Sequence, residues 1–373
     1  MAQRTNRKKN VTLKEVAEYA GVSVMTVSNV VNDWPYVSDE MRLKVQEAID
    51  ALGYRPSALA RSLVTGRSRT VGVVLPDISN PFFGQAIRGC EDVLTEQGYS
   101  FFLCNTDEDP QKEKAALETL ISRGVDALII WGSRSECDEL YKLIGNDLPV
   151  VAIDSPAPQL CMNSTYIYAD NIQGAETATL HLIHHGRKTV GHLAGPSQRR
   201  LTAQQRLAGY KQALENSAIP YNADFVMEGK PSIRGGYQAA LHLLQKHRPA
   251  ALFCYNDLMA IGAIVAIQQS GLEVPDDIAI VGFDDIFTAS LVVPPLTTVR
   301  IQQYDLGKLS SNLLLERLQK GGMPPNAVNF PVELVVRDSC GATRLSKEQK
   351  QEMMENLVTS LAVDLPNDTD TNE

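Results

Sequence analysis

Two groups of residues in this 373-residue chain have the types and spacing to do chemistry. The first lies near the N-terminus, where Ser23 precedes Val24, Met25 and Thr26, with Asn29 one turn on. Serine is a good helix cap, so Val24 and Met25 stand at the exposed start of a helix, off the Val27, Val30, Val31 stripe that forms its inner face. Apolar residues so placed fit contact with a thymine methyl, and an asparagine can bond an adenine edge at two points; a solvated Asn29 fits the pattern too. Thr12, Ser23, Ser28 and Tyr54 add hydroxyls able to position phosphates. The second group recurs where apolar runs end: Asn80-Pro81-Phe82-Phe83 after 71–75, Asp154 after 150–153, Asn256-Asp257 after 251–254, and Asp284-Asp285 after 278–283. Such carboxylates also cap helices, and such aromatics also fill cores. With Arg206 opposite them, the same residues supply acceptors, amide donors and a bidentate fork, which a hydroxyl-rich ligand requires.

The elements that must carry these residues follow from the periodicity. Thr12 with Glu15 is a capping box ahead of Leu13, Val16, Ala17 and Ala20, and Gly21 ends that helix. Ser38 caps a third helix, with Asp39 and Glu40 in its first turn and Met41, Val45, Ala48, Ile49 and Leu52 on one face. Two capped helices across a tight glycine turn have the layout of a helix-turn-helix; a small structural three-helix bundle has the same signals. Beyond Thr70 the pattern changes. Short β-rich runs at 71–75, 101–103, 127–131 and 150–153 alternate with helical segments near 82–97, 111–123 and 135–145. A second series at 166–168, 190–193, 251–254 and 278–283 alternates with helices near 171–185, 203–217, 235–247 and 257–270. The expectation is a small all-α head on an α/β body of two doubly wound, parallel-sheet lobes, with ligands at the carboxyl ends of the strands.

Charge divides the chain at the same place. Residues 1–70 carry 11 basic and 7 acidic side chains, a net of +4, which leaves −13 for the rest of a chain whose total is −9. A basic head on an acidic body suggests a nucleic-acid module joined to something else. The six cysteines have no metal-ligand rhythm and read as free thiols in a reducing cytoplasm. Neither a secretory leader nor a membrane-length apolar run is apparent. Nothing resembles G-x-S-x-G, a P-loop, H-E-x-x-H or G-x-G-x-x-G, so catalytic residues and cofactors are not expected. His181, His184 and His185 share a helical face without a further ligand motif, and a solvated or capping role is preferred to a metal site.

The segments Val11-Thr12-Leu13-Lys14-Glu15-Val16-Ala17, Gly21 through Asn32, Leu52-Gly53-Tyr54-Arg55-Pro56 and Ala60-Arg61-Ser62-Leu63 resemble the LacI/GalR family of bacterial repressors. So do Asn80-Pro81-Phe82-Phe83, Arg206-Leu207-Ala208-Gly209-Tyr210, Asn256-Asp257-Leu258-Met259-Ala260 and Val281-Gly282-Phe283-Asp284; the resemblance covers roughly residues 11–340. It implies an allosteric transcriptional repressor, a cytoplasmic homodimer with no membrane role, that binds double-stranded operator DNA and a small-molecule effector. It also implies a division into a basic arm at 1–10, a helix-turn-helix domain at 11–56 and a hinge helix and linker at 57–69. An effector and dimerisation domain at 70–343 would have one lobe near 70–169 and 302–329 and the other near 170–301 and 330–343, ahead of an acidic tail at 344–373. Ala60 and Leu63 join the DNA-contacting set, with Leu63 wedging into a minor-groove step. Asn29 stands where relatives often have arginine or histidine.

The body further resembles the ribose- and galactose-binding periplasmic proteins. Matched position by position, Asn80, Phe82, Phe83, Asp154, Arg206, Asn256 and Asp284 follow the sugar-contacting pattern. Ser155, Trp131 and Ile301 depart from the ribose version, where arginine, asparagine and glutamine stand. Trp131 then suggests a larger sugar face to stack on. Arg200 and Thr202 match purine-contacting positions of the family's purine repressor, but Pro231 replaces the phenylalanine that sandwiches the base, so a sugar is preferred to a purine.

Overall fold

The computed structural model describes residues 11–32, 34–55, 62, 66–135, 137–145, 148–155, 164–196, 198, 200–320 and 327–342. The expected arm, Ala60, Leu63 and the tail from 344 lie outside the described residues. The chain divides into a small unit, residues 1–70 with 124–126, and a large one holding the rest.

The small unit is helical. α1 (Leu13–Ala20), α2 (Val24–Val31) and α3 (Asp39–Leu52) are each opened by a hydroxyl residue. Thr12 Oγ1 accepts the Glu15 amide at 3.3 Å while Glu15 returns a carboxylate oxygen to the Thr12 amide at 2.7 Å, so two otherwise orphaned donors are satisfied. Gly21 stops α1 at φ +64°, a left-handed conformation that costs glycine little. Val16, Ala17, Ala20, Val27, Val30, Val45 and Ala48 close the core.

The large unit holds two six-stranded sheets with strand orders β11-β5-β4-β3-β1-β2 and β12-β10-β9-β8-β6-β7. In the first, the strands are β1 (Thr70–Leu75), β2 (Ser100–Asn105), β3 (Ala127–Trp131), β4 (Val150–Ile153), β5 (Ser164–Ala169) and β11 (Ala327–Phe330). In the second they are β6 (Val190–Ala194), β7 (Val226–Glu228), β8 (Ala251–Cys254), β9 (Ala279–Asp284), β10 (Thr297–Ile301) and β12 (Val332–Val335). The β1–β3, β3–β4, β4–β5, β6–β8, β8–β9 and β9–β10 pairs are parallel, and β10–β12 is antiparallel. Their inward runs are buried on both faces, as parallel strands covered by helices must be. β2 differs: it is an edge strand that leaves Phe102 and Leu103 exposed.

The lobes are interwoven. After β5 the chain passes into the second sheet, after β10 it returns, and after β11 a single residue, Pro331, carries it over again. Covering helices are α4 (Pro81–Glu96), α5 (Pro110–Ser122), α6 (Cys137–Ile144) and α11 (Gln303–Lys320) in the first lobe. In the second they are α7 (Asn171–His184), α8 (Leu201–Asn216), α9 (Ile233–Lys246) and α10 (Asp257–Gln269). α8 lies close on α7 because Gly209 has no Cβ; one built there would overlap the Ile172 carbonyl oxygen. Among the described residues no helix is long and apolar enough to cross a membrane.

Candidate functional site

In the head, α2 presents its first turn to solvent. Ser23 Oγ accepts the Thr26 amide at 3.0 Å and meets the Thr26 hydroxyl at 2.8 Å. That cap holds Val24 and Met25 outward at 45% and 70% exposure, while Val27 on the opposite face is fully buried. Thr26, Ser28 and Asn29 are half-buried, Thr12 is exposed, and Tyr54 lies partly buried against the core. Two large apolar side chains thus stand in water at the N-terminus of α2.

In the body, residues at or just beyond the carboxyl ends of strands in both sheets converge on one cleft of about 750 Å³, counted to its open mouth. Asn80, Phe82, Phe83, Trp131, Asp154, Arg200, Thr202, Arg206, Asn256 and Asp284 all line it, with Pro231 and Ile301. Arg206, from α8, is the centre. Its Nε donates to Asn171 Oδ1 at 2.9 Å, Nη1 donates to the Tyr255 carbonyl at 2.5 Å, and Nη2 lies 3.3 Å from Asp284 Oδ1. The guanidinium stacks 3.7 Å above the Phe283 ring and 4.8 Å from that of Tyr255. Asn171 passes the network on, donating to Asp154 Oδ1 at 3.3 Å, and the Ala169 amide reaches the same oxygen at 3.0 Å. A carboxylate of one lobe is thus linked to a carboxylate of the other through an amide and a guanidinium.

Asp154 and Asp284 hold backbone conformations uncommon for their type, at φ +45° and +110°. Burial raises both carboxyls to about 6, although Arg206 pulls each down. Asp257, beside Asn256, is pushed well above its ordinary range by burial, yet it is a structural group: it accepts from Thr298 Oγ1 at 2.5 Å and the Ile286 amide at 2.8 Å. Asn80 and Asn256 spend their carbonyl oxygens capping α4 and α10 at 3.1 and 2.9 Å, so capping and cleft lining coexist in them.

Two cleft residues, Glu108 and Tyr255, and two residues behind the wall, Glu113 and Arg134, escaped the sequence reading. Glu108, after β2, pairs with Arg134 and Arg200. Buried Glu113 accepts from Ser133 Oγ at 2.5 Å and the Arg134 amide at 3.0 Å, which fixes the turn after β3. Tyr255 receives Arg200 Nη1 at 2.9 Å and meets the Thr202 hydroxyl at 2.8 Å. Burial would raise that phenol, but Arg200 and Arg206 outweigh it and bring it below its ordinary value. The signal that could have found Glu108 is its position at the carboxyl end of a strand, the same rule that selected Asp154. Trp131 is 4% exposed and meets Phe82 and Phe83 edge-on at 6.1 and 5.9 Å, so the open stacking face expected of it is not there. The three rings prefer their own edge-to-face packing. Its Nε1 has no hydrogen-bond partner among the described residues. At the end of α7, His185 Nδ1 lies 2.7 Å from the His181 carbonyl oxygen, and among the described residues no group of three or more His, Cys, Asp or Glu is placed to hold a metal ion.

Residues 12–57 match the model of bacterial regulatory proteins of the lacI family, and 68–338 match that of periplasmic binding proteins and the sugar-binding domain of the LacI family. The chain belongs to the LacI family of bacterial regulatory proteins. A curated relative of this LacI-family chain, the HTH-type transcriptional repressor PurR of Haemophilus influenzae, is 38% identical over 333 residues, covering 88% of this chain and 98% of its own. The solved Lac repressor dimer bound to operator and the anti-inducer ONPF superposes with a TM-score of 0.80 at 31% identity, covering 89% and 99%. A LacI-family regulator from Enterococcus faecium with bound ribose has a TM-score of 0.66 at 31% identity over 72% of this chain and 98% of its own. The LacI-family fold accounts for the two-lobed body and the helix-turn-helix head together.

Proposed function

We propose that this protein is a cytoplasmic transcriptional repressor without a catalytic step, whose grip on operator DNA is set by a small, hydroxyl-rich effector, a sugar, in the interlobe cleft. The observation that carries the reading is the joining, in one chain, of an outward-facing Val24–Met25 turn and a cleft that draws donors and acceptors from both lobes. Closure of two lobes on a ligand couples that site to the head by rigid-body movement. Thr12, Ser23, Val24, Met25, Thr26, Ser28, Asn29, Tyr54, Ala60 and Leu63 are the proposed DNA contacts. Phe287, Leu291 and Val293 are exposed apolar residues of the second lobe and suit burial by a second copy, which would bring two heads to a two-fold operator.

The purine reading has two observations in its favour, the presence of Arg200 and Thr202 on the cleft wall and the 38% identity to the repressor PurR. Both side chains are engaged by Tyr255, and Pro231 offers no aromatic face, so the sugar reading is preferred. Thermal unfolding of the full chain against separate panels of sugars and purine bases, followed by operator binding with and without each hit, tests it. A ligand at 100 times its Kd stabilises by about 2.7 kcal/mol. A sugar hit that changes DNA affinity is expected; a purine hit, or none from either panel, rejects the reading.

A further inference from the structure

Arg200 and Arg206 line the cleft, and Arg134 reaches Glu108 on its wall; guanidinium groups so gathered would ordinarily capture a phosphate or carboxylate. Here each faces a carboxylate of the chain itself. Arg206 pairs with Asp284. Arg134 and Arg200 both go to Glu108: Arg134 Nη2 donates to Oε2 at 2.6 Å, and Arg200 Nη2 pairs with Oε1. The two arginines come from different lobes, Arg134 from the turn after β3 and Arg200 from the residue that opens α8. All three side chains are largely buried, at 14% exposure for Arg134, 15% for Arg200 and 22% for Glu108.

We propose that Glu108 is a specificity-determining residue: it is a built-in counter-ion that occupies both arginines and so admits uncharged ligands and refuses anions. This deepens, and rests on, the reading of the cleft as the site of a hydroxyl-rich effector. The carboxylate is held for the task. Its own amide donates to the Pro76 carbonyl at 3.2 Å, and Asp107 and Glu108 lie at φ +51° and +60°, a conformation non-glycine residues seldom adopt. Next to it, Asp109 accepts the Gln111 amide at 2.8 Å and anchors the loop to α5. Arg134 is fixed from behind by Glu113 on its amide and reaches across to the Gln198 carbonyl at 3.3 Å. An entering anion would have to displace a bidentate internal acceptor and leave it stranded, whereas a hydroxyl can bond to the pair without breaking it. Among the described residues, Trp131 Nε1 lines the cleft as a buried donor without a partner and can serve a ligand acceptor.

The test uses the full chain, with inorganic phosphate as probe and chloride at matched ionic strength as reference. Thermal unfolding of the wild type should show no saturable response to phosphate beyond chloride. Glu108→Gln frees two guanidinium groups and should acquire one, half-maximal at a concentration at least about tenfold lower than any response of the wild type. Glu108→Asp, which retains the charge, should stay unresponsive, and Arg200→Gln added to Glu108→Gln should abolish the gain. A Glu108→Gln protein that responds no more than wild type, or a wild type that already binds phosphate saturably, overturns the proposal. Should Glu108→Gln not fold, Glu108→Ala and the wild-type titration decide it. Failure of the effector reading itself shows differently, as a wild type that no sugar stabilises whatever its variants do with phosphate.

Discussion

Removing the Arg206 guanidinium while leaving Asp284 in place is the most direct probe of how the cleft is held. Arg206 is 4% exposed and satisfies Asn171, the Tyr255 carbonyl and Asp284 at once. Arg206→Met keeps most of the apolar stem over Phe283 but strands a buried carboxylate, and breaking a buried pair from one side costs about 3–5 kcal/mol. In a body of this size each kcal/mol moves Tm by roughly 2–4 °C, so the variant should melt roughly 6–20 °C below the parent. Asp284→Asn in the same background removes the stranded charge, and the double variant should recover about 1–3 kcal/mol of the loss, within the range for residues sharing one network. Head and body are separate units with one tryptophan each, Trp34 and Trp131. Trp34→Phe therefore leaves Trp131 as the body's own fluorescent reporter, and urea unfolding of the four proteins of the cycle in that background gives the coupling energy. A single-variant loss below about 1 kcal/mol, or strictly additive losses, would refute a buried coupled pair.

Asp154 and Asp284 are raised from 3.8 to about 6, so between those values the native state retains protons that the unfolded chain has shed. Their contribution to stability is therefore full below about 4 and falls as pH rises to about 6. Urea midpoints from pH 4 to 7 should show this component shrink in Asp154→Asn, and an unchanged profile would contradict it; sugar binding should weaken as pH falls through 6 and the acceptors protonate. Trp131→Phe loses some volume but also an unsatisfied buried donor worth about 1–3 kcal/mol, so the free protein should keep its stability within about 1 kcal/mol while affinity for the sugar hit falls about tenfold. A loss of several kcal/mol with affinity intact would show that the indole N–H is satisfied within the free protein.

Legibility in the sequence follows the range of the interactions. The head's helices can be read because their starts and stops are local: Thr12 with Glu15, Ser23 with Thr26, Ser38 with Met41, and Gly21 at positive φ. The central strands of both sheets announce themselves as continuous apolar runs. β7, β11 and β12 do not, since they are half-exposed, and the buried β10 is broken up by Thr297, Thr298 and Arg300. The partners that make Asp154, Arg206 and Asp284 into one network are equally invisible, because the contact between Arg206 and Asp284 spans 78 positions.

The sequence by itself determined the basic head, the doubled βα body and the family, because capping, periodicity and charge act between near neighbours in the chain. Only the tertiary structure decided which charges are spent. Glu108 sits in the acidic run Asp107-Glu108-Asp109, which in sequence looks like a solvated turn. In the fold its left-handed backbone holds it against Arg134 and Arg200, brought to it from two lobes. Whether a carboxylate is a solvated surface charge or an arginine's counter-ion depends on burial and on partners far along the chain, and those exist only once the two sheets have closed on one cleft.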